Sequence, residues 1–437
     1  MKQSVWSKTV TLPHFKSVEE TRQTDVLIIG GGMCGLLCAH FLQKAGVEYM
    51  LLEANRIASG VTQNTTAKLT FQHGLIYDKL ICNYGSEKAQ MYLTSNQKAL
   101  EEYKRLCSEI DCDFEIKDAY TYSVVDRQKI ENEVRAVNAL GFHAEFADPT
   151  ELPFKTFGAV RFSGQAQFHP LAFVSELAKD LNIYENAFVQ EIAPRGVLVN
   201  GKKIQANKII VATHFPFINK HGSYFLKLYQ HRSYVSAFSD VPKLEGMYVD
   251  EDQKGLSFRS YQNLLLIGGG AHRTGKHGGN WTEVNRYANA FYPDAVLECE
   301  WAAQDCMSLD GIPYIGQYSK HTPDLYVATG FNKWGMTSAM VAAMILCDMV
   351  QGKQNDFAPV YSPSRSILKP QLVINGMESM VNLLTPTTKR CPHLGCALKW
   401  NPAEHSWDCP CHGSRFDEDG ALLDNPATGG WKKKGKS

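Results

Sequence analysis

The apolar and polar positions near the start of the chain form a strand-like pattern, then a helix-like pattern, then a second strand-like pattern. Residues 25–29 carry a continuous apolar run typical of a buried strand. A glycine-rich turn follows, and residues 36–45 then have a helical pattern that ends at Gly46. Residues 49–52 form a second apolar run that ends at Glu53. This order predicts a strand–turn–helix–strand unit within a parallel α/β sheet.

Later apolar runs indicate that the chain returns to this sheet. Residues 208–213 read as a strand that follows a hairpin turn at Asn200-Gly201. Residues 325–329 read as another strand, which runs into Gly330 and a helix over about 338–350. Residues 88–107 have an amphipathic helical pattern. The predicted fold class is a doubly wound α/β domain, with a second, α+β layer inserted into the chain.

The first turn has the glycine spacing of a dinucleotide-binding site. Gly30 permits the tight turn, Gly32 lets the backbone approach a pyrophosphate, and Gly35 allows close packing of helix on strand. The N–H groups of the first helical turn, which includes Met33 and Cys34, face the phosphates. Glu53 follows Gly35 by eighteen residues and is placed to accept hydrogen bonds from ribose hydroxyls.

Near the C-terminus, two Cys/His pairs have the spacing of a metal centre. The pattern is Cys391-x-His393, fifteen residues, then Cys409-x-x-His412. Mixed pairs suit a [2Fe–2S] cluster in which two thiolates hold one iron and two imidazoles hold the other. The alternative is a zinc site, although zinc sites of this composition usually pair cysteine with cysteine and histidine with histidine.

The C-terminal segment, 387–437, resembles the Rieske family in its Cys-Pro-Cys-His-Gly-Ser form at 409–414. In this resemblance we expect Cys396 and Cys411 to form a disulfide that joins the two ligand loops. The strands that normally precede the first loop are missing, and 366–386 reads as a linker with one helix, so the small β-rich domain is expected to be shortened. The Ser414 hydroxyl can donate a hydrogen bond to a sulfur of the cluster. Phe416 stands where high-potential relatives often have a tyrosine hydroxyl, and its absence predicts a lower reduction potential for this cluster.

The first 365 residues resemble flavoproteins of the D-amino-acid-oxidase type. The segments that carry the resemblance are 60–70, 310–316 and 328–335. The resemblance implies FAD as the cofactor, with contacts from Thr65, Thr66, Lys68, Gly330 and Trp334, and a backbone contact to adenine from Val189 in a strand over 186–189. It also implies a substrate domain built from blocks at about 75–165 and 215–300.

Four side chains in or near these segments are candidates for catalysis. Lys68 and Lys333 are placed to interact with the flavin, although Lys68 could instead contact only phosphate. His73 follows the first flavin segment, and capping a turn is its alternative role. Arg259 could bind a substrate carboxylate with two hydrogen bonds from its planar guanidinium. The alternative interpretation of Arg259 is an exposed residue on a surface strand.

Composition excludes several other classes of protein. Among 437 residues, Lys plus Arg and Asp plus Glu both number 45, so no nucleic-acid partner is indicated. The longest apolar run, 339–347, is too short to span a bilayer. No signal peptide is seen, and we expect a cytoplasmic protein without a transmembrane segment, whose cysteines outside the C-terminal segment are reduced.

These observations predict an FAD-dependent oxidoreductase that oxidises an amine or amino acid by hydride transfer to flavin. Electrons would then pass through the [2Fe–2S] cluster to a protein or quinone acceptor. Two alternatives remain at this point. One is an oxidase that uses O₂ and carries a vestigial tail, and the other is a redox sensor or electron-transfer module without a small substrate.

Overall fold

The computed structural model describes residues 2–193, 195–252 and 255–431. The strands among these residues are, in chain order, β1 (Arg22–Ile29), β2 (Tyr49–Leu52), β3 (Lys68–Leu69), β4 (Glu115–Ser123), β5 (Glu145–Ala147), β6 (Gly158–Gln167), β7 (Ile183–Tyr184), β8 (Val189–Ala193), β9 (Gly196–Val199), β10 (Lys202–Val211), β11 (Leu228–Ser239), β12 (Met247–Asp250), β13 (Ser257–Tyr261), β14 (Leu264–Arg273), β15 (Val296–Ser308), β16 (Tyr314–Gln317), β17 (Leu325–Thr329), β18 (Lys399–Asn401), β19 (Ser406–Asp408), β20 (Arg415–Phe416) and β21 (Leu422–Asp424).

The helices among the same residues are α1 (Val5–Thr9), α2 (Met33–Lys44), α3 (Tyr77–Tyr84), α4 (Ser86–Cys107), α5 (Arg127–Ala139), α6 (Pro170–Leu177), α7 (Tyr224–Lys227), α8 (Asn280–Phe291), α9 (Gly335–Val350), α10 (Ala358–Tyr361) and α11 (Pro370–Leu384). A 3₁₀ turn covers Val61–Asn64. None of these helices is both long and apolar enough to cross a bilayer.

The first sheet has the order β16-β17-β10-β1-β2-β7, with the β8–β9 hairpin attached beside β10. The pairs from β17 through β7 are parallel, and β16 pairs antiparallel with β17. Alternate residues of β1 face two hydrophobic cores on opposite sides of the sheet. Ile28 lies in the core that contains α2 and α9, and Leu27 lies in the core that contains the β8–β9 hairpin. This confirms the doubly wound α/β class predicted from the apolar runs.

The second sheet has the order β15-β11-β14-β13-β12-β4-β6-β3 and carries β5 beside β6. It is antiparallel except where β12 runs parallel to β4. Its strands come from two stretches of chain, 68–167 and 228–308, which overlap the substrate-domain blocks predicted at about 75–165 and 215–300. The second stretch extends to Ser308 because β15 pairs along nearly the whole of β11.

Two other boundaries differ from the predictions. The strand predicted over 186–189 begins only at Val189, because Asn186 has a left-handed φ of 52° and the Ala187 N–H donates to the carbonyl of Glu53. The helix predicted to start near 338 starts at Gly335.

The C-terminal residues form a third, four-stranded antiparallel sheet in the order β18-β19-β20-β21. Helix α11 fills most of the predicted linker. Between α11 and β18, the described residues form only an isolated bridge, Arg390 to Ala397. The small sheet therefore lacks strands before its first loop, as the sequence predicts.

Candidate functional site

The turn between β1 and α2 is shaped by its glycines. Gly30 has a φ of 111°, and a Cβ there would lie 2.6 Å from the carbonyl oxygen of Ala212. A Cβ on Gly35 would lie 1.9 Å from the carbonyl oxygen of Gly30, so this glycine sets how closely the helix approaches the strand. A Cβ on Gly32 would meet only the Thr62 hydroxyl, at 3.5 Å. Gly32 therefore leaves open space at the start of α2.

The start of α2 offers N–H groups to a phosphate. Gly32 is the N-cap and makes no side-chain cap, while the Met33 N–H donates to Thr62 Oγ1 at 3.0 Å. Cys34 is buried at the second position of the helix. A glycine cradle at a helix N-terminus, with only the Met33 N–H of the first helical turn bonded to a side chain, fits the pyrophosphate of a dinucleotide.

Glu53 lies at the end of β2, beside this turn. Its carboxylate accepts from the N–H of Gly31 at 2.7 Å and from the N–H of Asn55 at 2.9 Å. Burial raises the pKa of this carboxyl, and the two backbone donors oppose the rise. Ala187 bonds to the Glu53 backbone, which brings the start of β8 and Val189 close to this carboxylate. The geometry fits a ribose site at Glu53 with adenine near Val189.

A cavity of about 530 Å³ is lined by strands of the second sheet, by α3 with the segment before it, and by the start of α9. Of the residues predicted to contact the flavin or act in catalysis, those lining it are Thr65, Thr66, Lys68, His73, Lys333 and Trp334. The glycine turn, Glu53 and Val189 do not line it, and Gly330, with a φ of 72°, stands two residues before the lining residue Asn332. The predicted residues thus divide between a nucleotide end and a cavity end, as an elongated dinucleotide requires.

Two half-buried lysines, Lys68 and Lys333, give the cavity its basic side. Burial, helped by the charge of Arg259, lowers the pKa of Lys68 to about 7. Burial also lowers the pKa of Lys333, and the charge of Asp305 opposes this. Lys68 Nζ donates to Thr66 Oγ1 at 3.4 Å. Both lysines are therefore easier to deprotonate than in water.

Carboxylates line the same cavity, and one of them, Asp305, interacts with Lys333. Burial raises the pKa of Asp250 to about 6 and also raises the pKa of Asp305. Glu251 and Asp252 also belong to the lining. The cavity thus offers cationic and anionic groups to one small ligand.

His73 lies in the cavity wall with both ring nitrogens engaged. Nδ1 is 2.6 Å from Tyr92 Oη, and Nε2 is 2.9 Å from both the Thr70 carbonyl and Thr337 Oγ1. The ring stacks on Trp334 at 5.0 Å. Burial lowers its pKa to about 3, so the ring is neutral and held in place. It positions Trp334 beside the cavity.

Arg259 lies outside the cavity lining and is fully buried in β13. Its guanidinium donates to the carbonyls of Thr66 and Ala67, at 2.5 and 2.8 Å, and to the carbonyl of Phe168 at 3.3 Å. It also faces the ring of Trp6 at 5.2 Å. Neither a substrate clamp nor a surface strand residue describes this placement, because both terminal nitrogens donate to backbone carbonyls and the remaining nitrogen, Nε, is buried away from the cavity without a partner among the described residues. We therefore treat Arg259 as a residue that holds the 66–68 segment.

The two C-terminal loops bring the four predicted ligands together. Cys391 and Cys409 are buried free thiols that hydrogen-bond to each other, and this contact, helped by Ser414, lowers the pKa of Cys391. The rings of His393 and His412 lie 4.9 Å apart, centre to centre. Cys396 and Cys411 are joined in a disulfide between the loops.

The histidines have the free nitrogens that a metal centre requires. The Nδ1 atoms of His393 and His412 are buried and have no hydrogen-bond partner. Burial lowers their pKa values to about 4 and about 3, so both rings are neutral, the form that binds metal. Two orphaned imidazole nitrogens beside two thiols fit a cluster held by two cysteines and two histidines.

A different sulfur group in the same place does not form a metal site. The sulfurs of Cys396, Cys409 and Cys411 lie within 4.8 Å of one another. Two of these sulfurs are bonded to each other in the disulfide, so this group offers only one thiol. The ligand set remains the one predicted from the spacing.

The histidine side of this centre faces the rest of the protein. The ring of His412 lies against Phe215 and Phe225, at 6.2 and 6.3 Å between centres. His393 Nε2 is 2.9 Å from Asn219 Oδ1. Gln230 Nε2 donates to the carbonyl of His412 at 2.9 Å. These contacts come from the segment between β10 and α7, from α7 itself and from β11.

A buried network of charges fixes the small sheet in place. Arg232 in β11 pairs with Glu404, and Glu404 also accepts from Arg415, at 2.8 Å. Arg415 pairs in turn with Asp408 at 3.0 Å. Burial alone would raise the pKa of Glu404, but the charges of Arg232 and Arg415 outweigh burial and lower it to about 2.

The residues of this interface were not predicted from the sequence. Asn219, Gln230, Arg232 and Glu404 belong to no motif, and their contacts join positions more than a hundred residues apart. The one available signal was Glu404 itself, an acidic residue in a short turn between two predicted ligand loops.

Two family models match the chain. The model described as FAD dependent oxidoreductase matches residues 25–349, and the model described as Rieske [2Fe-2S] domain matches residues 363–433. The second match begins before α11, so the segment predicted as a linker falls within it. It favours the iron–sulfur interpretation of the C-terminal site over zinc.

Relatives and solved structures agree with these matches. YhfW of Bacillus subtilis (strain 168), which carries the provisional name of a Rieske 2Fe-2S iron-sulfur protein, is 34% identical over 97% of this chain and 96% of its own. Glycine oxidase from Geobacillus kaustophilus has the same fold, with a TM-score of 0.67 and 19% identity over 79% of this chain and 100% of its own. L-proline dehydrogenase from P. horikoshii has a TM-score of 0.67 and 17% identity, covering 79% of this chain and 98% of its own.

Proposed function

The chain belongs to the FAD-dependent oxidoreductase family and carries a Rieske [2Fe–2S] domain, and on this premise we propose that it oxidises an amine or amino acid and delivers the electrons to its own cluster. The FAD domain binds FAD and the Rieske domain binds a [2Fe–2S] cluster. We further propose domain boundaries at 1–365 and 387–437, with 366–386 as a connecting segment.

The orientation of the Rieske domain carries this proposal. His393 and His412 would hold one iron, and their rings point at Asn219, Phe215 and Phe225 of the FAD part. Electron transfer needs short distances through packed protein, and a cluster facing the FAD domain meets that need. A vestigial tail would not require the buried ion pairs that fix its orientation.

The charges of the cavity support an amino acid as the substrate. A zwitterion presents a carboxylate and an ammonium group within a few bonds. Lys68 and Lys333 can face the carboxylate, and Asp250 and Asp305 can face the ammonium. The names of the structural neighbours, glycine oxidase and L-proline dehydrogenase, are in keeping with this class.

The roles of the chain's own residues follow from their contacts. When bound, FAD supplies a hydride acceptor and the cluster supplies a one-electron acceptor. Lys68, at a pKa of about 7, binds a carboxylate when protonated and accepts a proton when neutral. His73 and Trp334 form a stacked wall that limits ligand orientation and keeps water from that side.

An anaerobic reduction experiment tests the proposal. The purified holoprotein is mixed with a panel of amines and amino acids, and the visible spectrum and the EPR signal are followed together. We expect an amino acid to bleach the flavin and a reduced-cluster signal to appear in the same preparation. Bleaching without any cluster signal, followed by fast reoxidation by O₂, would support the oxidase with a vestigial tail. No bleaching by any compound would support the redox sensor.

A further inference from the structure

Helix α11 presents an apolar face to solvent. Six side chains at helical spacing share this face, and each is 53–76% exposed: Val373, Ile374, Met377, Met380, Val381 and Leu384. None belongs to a hydrophobic core cluster of the described residues. An exposed stripe of this length, on a helix of about 22 Å, marks a surface that contacts something apolar.

The opposite, polar face of α11 is turned toward the protein. Asn375 is buried and its Oδ1 accepts from Arg273 Nη1 at 2.9 Å. Asn382 is also buried, and its carbonyl accepts from the Ala397 N–H at 2.9 Å. Glu378 pairs with Lys276 at 2.7 Å. The helix is therefore inverted relative to an ordinary surface helix, and these polar contacts hold its apolar face outward.

The composition of the exposed face favours lipid over a protein partner. It contains only aliphatic and methionine side chains, whereas the centres of protein interfaces are enriched in Trp, Tyr and Arg. No hydrogen-bonding side chain stands among the six, so the face offers no polar group to orient a protein partner.

The charges around the helix favour an anionic surface. Lys369 precedes its first turn, and Lys389 and Arg390 follow its C-terminus, while the one acidic residue in 366–390 is Glu378, which is paired. Lys389 lies over the Trp407 ring and Arg390 donates to backbone carbonyls, so both keep their charge near the end of the helix. Lys88 Nζ and Lys369 Nζ both lie over the Tyr84 ring, at 5.9 and 4.4 Å from its centre. Basic residues at both ends of an apolar face match the headgroups of acidic phospholipids.

We propose that α11 docks this protein on the surface of a bilayer that contains anionic phospholipid. The six apolar side chains enter the boundary between headgroups and acyl chains, and the flanking cations meet the headgroups. The helix lies in the plane of the surface and does not span it.

Vesicle flotation of the purified holoprotein tests the proposal. The probes are vesicles of phosphatidylcholine alone and of phosphatidylcholine mixed with phosphatidylglycerol. We expect the protein to float with the mixed vesicles, less so at high salt. The double variant Ile374→Glu/Met377→Glu should reduce the vesicle-bound fraction by about tenfold or more, since it places charge on the face of α11 that enters the bilayer.

The matched control is Val125→Glu, which adds charge at an apolar side chain that is 68% exposed on the other part of the molecule. It should float like the wild type. Leu384→Glu, at the end of the helix, serves as a second variant of the apolar face. Flavin absorbance and a thermal melt show whether each variant is folded.

Three results would overturn the proposal. The first is wild-type protein that stays with the unbound fraction on both vesicle types. The second is equal loss of flotation in Val125→Glu. The third is a wild-type dimer in solution that Ile374→Glu/Met377→Glu converts to a monomer, which would make a second copy of the chain the occupant of this face.

Discussion

Arg232 and Glu404 form a buried, two-point ion pair between the FAD part of the chain and the Rieske domain. Arg232 Nε donates to Glu404 Oε1 at 3.0 Å, and the second guanidinium nitrogen donates to Oε2. Tyr234 Oη donates to the same carboxylate at 3.0 Å. Arg415 of β20 and Asn401 of β18 also donate to it, at 2.8 and 3.3 Å, which makes Glu404 the centre of the domain contact.

Glu404→Gln should loosen the Rieske domain. The variant keeps the shape but leaves Arg232 buried without its carboxylate, and breaking a buried pair in this way costs about 3–5 kcal/mol. We expect a lower thermal midpoint and faster proteolysis near 366–390. Glu418→Gln, on an exposed pair with His405, is the matched control and should change neither. Equal effects from both variants would contradict the assignment.

The same carboxylate gives a signed pH dependence. Its folded pKa is lowered, so its contribution to stability is complete above its usual value near 4.5 and is lost as the pH falls toward about 2. In the apoprotein, the wild type should lose stability across this window more steeply than Glu404→Gln. Thermal melts at several pH values measure the difference, and parallel curves would argue against it.

Gly32→Val should give a folded protein without FAD. The added Cβ meets only the Thr62 hydroxyl, at an ordinary contact distance, but the side chain fills the space left for the pyrophosphate. The ratio of flavin absorbance to protein absorbance measures the loss. Gly35→Ala is the contrasting variant, because its Cβ collides with the Gly30 carbonyl and should prevent folding. Full FAD content in Gly32→Val would refute the nucleotide site.

Lys68 should control substrate binding between about pH 6 and 8. Below its pKa of about 7 the ammonium attracts a substrate carboxylate, and above it the attraction is lost, so KM should rise with pH. At low pH, Lys68→Met should have a KM about tenfold higher than the wild type. Its KM should no longer increase with pH. Steady-state kinetics on the best amino acid measure both. A flat wild-type profile would remove Lys68 from substrate binding.

His412→Ala should lose the cluster. The wild type should contain two irons and two acid-labile sulfides per chain, with a rhombic EPR signal after reduction. Removing one buried, unpartnered imidazole removes a ligand. His405→Ala, an exposed histidine of the same domain, should keep full iron. Zinc or no metal in anaerobically prepared wild type would contradict the ligand assignment.

Ser414→Ala should lower the reduction potential of the cluster. Ser414 donates to the Cys391 sulfur, and such donors stabilise the more negative, reduced state. A redox titration of the EPR signal measures the shift, with the exposed Thr428→Ala as control. An unchanged potential would show that the hydroxyl does not act on the cluster.

Much of the fold was predictable because its signals are local. The apolar runs at β1, β2 and β17 and the glycine turn between β1 and α2 each depend on a few consecutive residues. Arg259 could not be placed from its strand, since its partners are backbone carbonyls at 66, 67 and 168. The outward face of α11 was missed for a related reason. Its periodicity is that of any amphipathic helix, and only the contacts of Asn375 and Asn382 show which side is inside.

The late return of β17 and α9 to the first sheet sets the order in which the protein can assemble during synthesis. β10 lies between β1 and β17, and α2 packs in one core with α9. The flavin-binding half therefore cannot close on the ribosome until residue 350 has emerged. The cysteine loops emerge later still, from Cys391 on, so the cluster site can be completed only after the chain that carries Phe215 and Arg232 has been made. A chain released before that point would have neither redox centre.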